Sequence, residues 1–168
     1  GDGIYAVPAP DDNRLIYNST QNGFLMIFDR NTQQVHDIEP YPVDFSGGGV
    51  DKLKYRWDWE SGFAVSPQNP SVLYAGANVV FRSGDHGRTW KPISPDLTMN
   101  DKSKQGSSGG DVMKDNSGAE AYDAILIVTP APSDSNVLWV GTDDGLVQVT
   151  RDGGAHWTNV TSHVPALP

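Results

Sequence analysis

The sequence predicts an all-β protein built from repeated sheets of four short antiparallel strands. Three observations carry this prediction. One turn motif occurs twice in the 168 residues, and β-prone runs recur at matching positions around both copies. The composition adds 18 glycines and 12 prolines, which suit a chain with many tight turns. A motif that recurs within a repeat indicates architecture before any single residue indicates chemistry.

The repeated motif reads hydroxyl residue, any residue, Asp, any residue, Gly, any residue, Thr or His, and Trp. Its two copies comprise Ser83, Asp85, Gly87 and Trp90 in the first and Thr150, Asp152, Gly154 and Trp157 in the second. We expect the Asp to accept backbone N–H groups within a hairpin turn and the Gly to adopt positive φ, so both aspartates are interpreted as structural. The Trp should start the next strand and be largely buried against its own sheet.

Four β-prone runs lie around each motif and divide the chain into three units. The second unit covers about residues 61–95 and the third about 124–161. The first, about residues 3–40, is assigned by register, because the Asp, Gly and Trp of the motif are displaced or missing there. Repeated four-stranded antiparallel units predict the blades of a β-propeller. Burial of both blade faces explains continuous apolar runs such as residues 24–28.

Three blades are fewer than the roughly four to eight that normally close a propeller. We therefore expect one partial propeller domain over residues 1–168. It would be completed by the remaining blades of a longer protein, or by a homodimer that forms a six-bladed ring. The two open ends would each present an apolar sheet face, which soluble monomers rarely leave uncovered.

Charge and composition exclude several functions. A net charge of −9 and a pI of about 4.6 oppose binding to nucleic-acid phosphates. The absence of cysteine excludes disulfides, Cys–zinc sites and a cysteine nucleophile. No apolar run approaches the ~20 residues of a membrane-spanning helix, so no membrane insertion is predicted. The histidines form no matched pair, Asp143 and Asp144 are interpreted as a hairpin turn, and neither a metal nor a cofactor is predicted.

Two insertions interrupt the repeat, at about residues 43–60 and 96–123. Such segments commonly lie over the ligand-binding face of a propeller. The candidate ligand-binding residues are Tyr55, Arg56, Trp57, Trp59 and Tyr122, and the candidate catalytic residues are Asp58, Glu60 and Glu120. Aromatic rings can stack on sugars, Arg can hold a carboxylate in a bidentate fork, and paired carboxylates can cleave a glycosidic bond. The alternative is a core strand whose aromatic side chains face inward while its charged side chains lie outside or paired.

The repeated turn resembles the Asp-box, also called the bacterial neuraminidase repeat, of sialidases, xyloglucanases and sortilin-like ectodomains. Residues 54–164 are similar to large exported bacterial proteins of the sortilin-like propeller type, which are often labelled glycosyl hydrolases. Segments 55–60, 66–70, 73–78, 81–83, 93–98 and 141–154 carry this resemblance. It implies an extracellular or periplasmic location. The three arginines and the Tyr–Glu pair of the sialidase pattern cannot be placed on this chain.

Two functions are compatible with these features. The first is a binding or scaffold segment with a carbohydrate or peptide ligand, because Asp-box blades occur in enzymes and in binding propellers and no complete catalytic set transfers here. The alternative is part of a sialidase- or xyloglucanase-like glycoside hydrolase that uses the paired carboxylates named above.

Overall fold

Twelve strands form three four-stranded antiparallel sheets in the computed structural model, which describes residues 3–44, 47–109, 117–118 and 121–164. Strand order follows chain order within each sheet, so each sheet is an up-and-down blade. No α-helix occurs in the described residues, where the helical turns are 3-10 segments of three residues. The predicted all-β class with four-stranded blades is confirmed.

Each blade contains four consecutive strands. Blade 1 comprises β1 (Gly3–Ala9), β2 (Asp12–Thr20), β3 (Leu25–Asp29) and β4 (Gln34–Asp37). Blade 2 comprises β5 (Phe63–Val65), β6 (Leu73–Gly76), β7 (Val80–Ser83) and β8 (Lys91–Pro92). Blade 3 comprises β9 (Ile125–Pro130), β10 (Leu138–Thr142), β11 (Val147–Thr150) and β12 (Thr158–Asn159). Strands β8 and β12 have two exposed residues each, so they cover little of their sheet faces.

Apolar side chains from neighbouring blades fill the two junctions. Between blades 1 and 2, Tyr17 is fully buried and its ring centroid lies 6.0 Å from that of Phe63. The Tyr17 hydroxyl also lies 2.7 Å from Nδ1 of His86, in the turn of blade 2. Between blades 2 and 3, Val80 and Ile125 are fully buried. Burial of each large apolar side chain contributes about 1.5–3 kcal/mol, so packing between blades is a major source of stability.

The turn of blade 2 is held by its own hydroxyl and carboxylate groups. Oδ1 of Asp85 accepts the N–H of Thr89 at 2.9 Å, and Oδ2 accepts the Thr89 hydroxyl at 2.6 Å. The Ser83 hydroxyl oxygen accepts the N–H of Gly87 at 2.8 Å, and Gly87 has a φ of +85°. The hydrogen bonds from Thr89 lower the pKa of Asp85 to about 2, so this carboxylate is ionised and bound within the turn.

The turn of blade 3 has the same arrangement. Oδ1 of Asp152 accepts the N–H of His156 at 2.9 Å, and the Thr150 hydroxyl oxygen accepts the N–H of Gly154 at 3.0 Å. Gly154 has a φ of +104°. The hydrogen bonds from His156 hold the pKa of Asp152 well below its usual range. Donors of its own turn therefore occupy this carboxylate as well.

The tryptophans of both turns contact the preceding blade. The indole N–H of Trp90 donates to the carbonyl of Ile38 at 2.7 Å, and that of Trp157 donates to the carbonyl of Ile93 at 3.1 Å. Both indoles are half-buried. Each indole packs against the core as expected, but its hydrogen-bond partner lies in the preceding blade and not in its own sheet. The adjacent two-residue strand is too short to cover an indole, whereas a carbonyl just past the last strand of the neighbouring sheet is free to accept.

Candidate functional site

The candidate segment at residues 55–60 is irregular rather than a strand. Arg56 and Trp57 are 4% and 1% exposed, so two consecutive side chains point into the protein. A strand would bury every second residue instead. The core-strand interpretation is therefore wrong in its geometry, although the half-buried Tyr55 and Trp59 do contribute to packing.

Arg56 connects the first insertion to blade 2 and to the second insertion. Its backbone N–H donates to Oδ1 of Asn78 at 3.1 Å, and its Nε donates to the carbonyl of Asp123 at 3.0 Å. Its Nη2 donates to Oδ2 of Asp96 at 2.6 Å and to the Thr98 hydroxyl at 3.0 Å. Burial alone would raise the pKa of Asp96, but the hydrogen bonds from Thr98, Arg56 and Asn78 hold it below its usual range. Protein acceptors therefore occupy Nε and Nη2, two of the three nitrogens that could hold a ligand carboxylate.

Trp57 lies in the core between blades 1 and 2. Its ring is stacked on Phe81, with 5.7 Å between centroids and 10° between planes. Tyr55 contacts the same Phe81 ring edge-on at 4.8 Å. A Cβ on Gly23 would lie 2.3 Å from Cε3 of Trp57, so this position requires glycine. No sugar can reach the face of Trp57, and only Tyr55 and Trp59 keep partly exposed rings in this segment.

The remaining candidates have different environments. Oδ1 of Asp58 accepts the N–H of Glu60 at 2.8 Å, while Glu60 itself is exposed. Glu120 lies outside the described residues. Tyr122 is half-buried beside Lys104, whose Nζ lies 3.3 Å from the Tyr122 hydroxyl and 4.8 Å from its ring centroid. Of the predicted carboxylates, only Asp58 joins a larger group among the described residues.

That group lies where the two insertions meet the hairpin between β10 and β11. We call it the acidic cluster, and its members are Asp58, Asp123, Asp143 and Asp144. Asp123 is fully buried and Asp144 is 8% exposed. Sequence reasoning missed three of the four members, because two are part of an ordinary hairpin turn and Asp123 lies in an insertion that has no counterpart in the repeat.

Burial and mutual repulsion favour protonation in the acidic cluster. Burial raises the pKa of Asp143 to about 6, and the charges of Asp58, Asp144 and Asp123 add to the rise. A hydrogen bond from the Ala124 N–H at 2.9 Å opposes it. Burial also raises the pKa of Asp123, and contact with Asp144 adds to that effect. One buried oxygen each of Asp123 and Asp143 lacks a hydrogen-bond partner among the described residues, and a proton shared between Asp123 and Asp144 would satisfy the first.

Replacing Asp143 with asparagine should stabilise the protein at pH 7. The native pKa of about 6 exceeds the ordinary value of 3.8, so between these values the native state holds a proton that the unfolded chain has released. The stability from that proton is fully present below about pH 4 and is lost as the pH rises through about 6. We expect a gain of about 1 kcal/mol at pH 7, less than the whole shift implies, because solvent screens a half-buried group.

Urea unfolding between about pH 4 and pH 7 tests this expectation. The stability difference between Asp143→Asn and the unmodified protein should grow as the pH rises. Asp134→Asn removes one exposed negative charge outside the cluster and is the matched control. A difference that stays constant across this range would contradict a raised pKa at Asp143.

Residues 3–44, 47–109, 117–118 and 121–164 contain neither a metal-binding group of side chains nor a membrane-spanning helix. No group of three or more histidine or acidic side chains there is arranged to hold a metal ion. None of the helical segments in these ranges is long and apolar enough to cross a membrane.

A second feature is an open groove of about 390 Å³ between blades 2 and 3, which we call the inter-blade groove. Its walls combine amide, hydroxyl and cationic side chains over a small apolar floor. The residues that line it are Ser66, Gln68, Asn69, Val72, Tyr74, Arg82, Lys91, Ile93, Ser135, Asn136 and Gly153. No acidic residue is among them, although the chain has 21 acidic and 12 basic residues.

Two cations of this groove lie side by side. Arg82 of β7 and Lys91 of β8 are direct cross-strand partners. Like charges placed opposite each other in an antiparallel pair are destabilising. Neither residue forms an ion pair with any part of the chain that the structure describes. Sequence reasoning missed this pair, although the register of the hairpin around the repeated turn could have revealed it.

The fold is similar to that of several solved β-propellers. The GH74 xyloglucanase from Xanthomonas campestris superposes with a TM-score of 0.56 and 18% identity, over 91% of this chain and 21% of that chain. An ancestral GH74 enzyme gives a TM-score of 0.56 and 13% identity, over 95% of this chain and 18% of that chain. YCF48 bound to D1 peptide gives 0.50 and 14%, over 92% of this chain and 43% of that chain.

The chain thus spans from 18% to 43% of the length of these structures. No family model matches the sequence, and no curated protein matches it either. Similarity at this level of identity shows the β-propeller fold. The ligands and activities named for those proteins belong to them.

Proposed function

We propose that this chain is a segment of an Asp-box β-propeller that acts as a binding or scaffold module for a carboxylate-bearing ligand, with an acidic peptide as the first candidate. The observation that carries this proposal is the position of Arg82 and Lys91, which lie side by side in the inter-blade groove without an acidic partner among the described residues. The first insertion is a weaker candidate, because Arg56 and Trp57 are buried and bonded within the protein.

The inter-blade groove offers the donors that a carboxylate needs. The Arg82 guanidinium can bind a carboxylate through two parallel hydrogen bonds, and Lys91 supplies a second positive charge. Asn69, Ser135 and Asn136 line the same groove and can bond to the backbone of an extended peptide. A bound carboxylate would also relieve the repulsion between the two cross-strand cations.

A peptide fits this groove better than a neutral carbohydrate. Sugar binding typically uses an exposed aromatic face, and the one aromatic residue of the groove, Tyr74, is only 3% exposed. YCF48, a propeller whose structure contains a D1 peptide, is a precedent for peptide binding on this fold. An acidic polysaccharide offers the same carboxylate chemistry and is the second ligand class to test.

Titration with hexaglutamate and with hexaglutamine tests the proposed binding. We expect the chain to bind hexaglutamate and not hexaglutamine, with an affinity that falls as salt is added. Arg82→Gln should weaken the binding about tenfold, which corresponds to the loss of about 1.4 kcal/mol from a charge-assisted contact. Oligogalacturonate, titrated in parallel, distinguishes an acidic saccharide from an acidic peptide.

Arg30→Gln is the matched control, because it removes one arginine from an exposed turn of blade 1. It should leave the affinity for hexaglutamate nearly unchanged. Equal affinities for the two peptides, or equal effects of Arg82→Gln and Arg30→Gln, would show that the inter-blade groove is not the binding site.

The acidic cluster supports glycoside hydrolysis as a second candidate function. Cleavage of a glycosidic bond needs one carboxylic acid that is protonated near neutral pH and a second, ionised carboxylate. Asp143, with its pKa raised to about 6, suits the first role, and the charge of Asp58 contributes to that rise. Hydrolysis of xyloglucan or of chromogenic glycosides that disappears in both Asp143→Asn and Asp58→Asn would support this candidate. If no glycoside is hydrolysed, the hydrolase candidate is rejected and the binding module is the remaining function.

The exported location and the longer parent protein belong to the same proposal. The Asp-box resemblance supports an extracellular or periplasmic location, and a chain without cysteine is compatible with it. Fractionation of the source cells with an antibody against this segment tests both points. It reports the compartment and the mass of the protein that contains the segment.

A further inference from the structure

The two blade junctions share one construction at the repeated turn. At the first junction, Trp90 donates to the carbonyl of Ile38, and a Cβ on Gly87 would lie 2.8 Å from Cδ1 of Ile38. At the second, Trp157 donates to the carbonyl of Ile93, and a Cβ on Gly154 would lie 2.6 Å from that carbonyl oxygen. Each turn therefore uses its Trp and its Gly to hold one isoleucine of the preceding blade.

In blade 3, Val160 has the position that Ile38 and Ile93 have in blades 1 and 2. Three residues donate their backbone N–H to a carbonyl of the third strand of their own blade, each at 2.8 Å. The pairs are Ile38 to Leu25, Ile93 to Val80, and Val160 to Val147. Each of the three donors directly follows the last strand of its blade. The carbonyl of Val160 accepts one hydrogen bond, from the N–H of His163 at 2.9 Å, and a carbonyl oxygen has a second lone pair.

The face of blade 3 around Val160 is exposed where the other blades are covered. Tyr17, Tyr74 and Trp139 occupy the same position in their blades, opposite Ile27, Arg82 and Val149. Their exposures are 0%, 3% and 41%. On the same face of blade 3, Ile127 and Val164 are each 52% exposed, and Val160 lines an open pocket of about 360 Å³ with Trp139 and Val164.

Blade 1 lacks the complementary residues. In the β3–β4 hairpin of blade 1, Val35 lies opposite Phe28. Val35 follows Phe28 by the same number of residues as Trp90 follows Ser83, so Val35 occupies the position of the Trp. The same alignment places Thr32 at the position of the turn glycine. Val35 has no N–H donor in its side chain and is 53% exposed. The side chain of Thr32 would collide with a residue placed as Ile38 and Ile93 are placed against the turn glycines. The outer face of blade 1 therefore does not match the face of blade 3.

We infer that the outer face of blade 3 is a docking surface for one kind of partner, a further four-stranded blade whose repeated turn carries Gly and Trp. Its indole donates to the carbonyl of Val160, its glycine packs against the Val160 side chain, and its sheet covers Trp139 and Ile127. The two existing junctions support this inference, because the docked blade would make the same Trp and Gly contacts to blade 3 that blade 2 makes to blade 1 and blade 3 makes to blade 2. A ring of two copies joined through blade 1 is not the preferred assembly.

Thiol protection on an extended chain tests the docking. The chain has no cysteine, so Ile127→Cys introduces a unique, exposed thiol on the outer face of blade 3. A second copy of residues 41–97, which includes blade 2 with its turn, is appended after Pro168. We expect the appended copy to slow the reaction of this thiol with a disulfide reagent at least tenfold. The control carries Gly87→Thr and Trp90→Val in the appended copy, as in blade 1, and should give little protection.

Three results would overturn the inference. Equal protection by the appended copy and by its control would show that Gly and Trp do not select the partner. An appended copy that leaves the thiol reactive, whether or not circular dichroism records added β structure, would show that blade 3 does not receive such a blade. Protection of the thiol in the chain without the appended copy, increasing with protein concentration, would instead support a second copy as the partner.

Discussion

Replacing Trp57 with alanine is expected to lower the free energy of unfolding by about 3–5 kcal/mol, because it empties a large aromatic site in the core. The side chain is 1% exposed and stacks on Phe81. The cavity would form between blades 1 and 2, next to Gly23, whose backbone packs closely against the indole in the unmodified protein. Urea unfolding followed by circular dichroism measures this loss.

Trp59→Ala is the matched control for Trp57→Ala. Trp59 is the same residue type in the same segment, but it is only half-buried. Its replacement should cost clearly less. Should Trp59→Ala destabilise the protein as much as Trp57→Ala, or abolish ligand binding at unchanged stability, the assignment of Trp57 alone to the core would be wrong.

Replacing Arg56 with methionine is expected to cost about 3 kcal/mol or more, because it leaves buried partners unpaired. The guanidinium donates to Asp96, Thr98 and the carbonyl of Asp123, and its own side chain is 5% exposed. Methionine preserves much of the apolar volume but supplies no donor. Unfolding in urea provides the measurement, with Arg30→Met as the control for loss of an exposed arginine.

A double variant makes the Arg56 prediction specific to charge pairing. Asp96→Asn removes the carboxylate that Arg56 binds at 2.6 Å, so Arg56→Met should cost less in that background than in the unmodified protein. Additive effects of the two substitutions would contradict the ion pair as the source of the cost. Loss of hexaglutamate binding in Arg56→Met at unchanged stability would return this residue to the list of ligand contacts.

The blades could be predicted from sequence because local chemistry and the repeat agree. Ser83, Asp85 and Gly87 define a turn by their own hydrogen bonds, and the strands on either side follow from the positions of apolar runs. The contacts between blades could not be predicted in the same way. The partner of Trp90 is the carbonyl of Ile38, 52 residues earlier, and no local pattern indicates that distance.

The candidate site was less predictable for the same physical reason. Arg56 and Trp57 have the residue types of a ligand site, and only their long-range partners make them part of the core. Burial and the charge of Asp58 raise the pKa of Asp143. Asp58 reaches Asp143 through an insertion outside the repeat, so the repeat pattern does not predict this contact. By contrast, the opposition of Arg82 and Lys91 follows from a single hairpin and was accessible to register counting.

A map of backbone amide shifts on addition of hexaglutamate tests the central claim most directly, because it locates the bound ligand on the fold. A binding module built on the inter-blade groove should show its largest shifts at Asn69, Arg82, Lys91 and Asn136, which line that groove. Shifts confined to Asp58, Asp143 and their neighbours, or no shifts at saturating ligand, would contradict it.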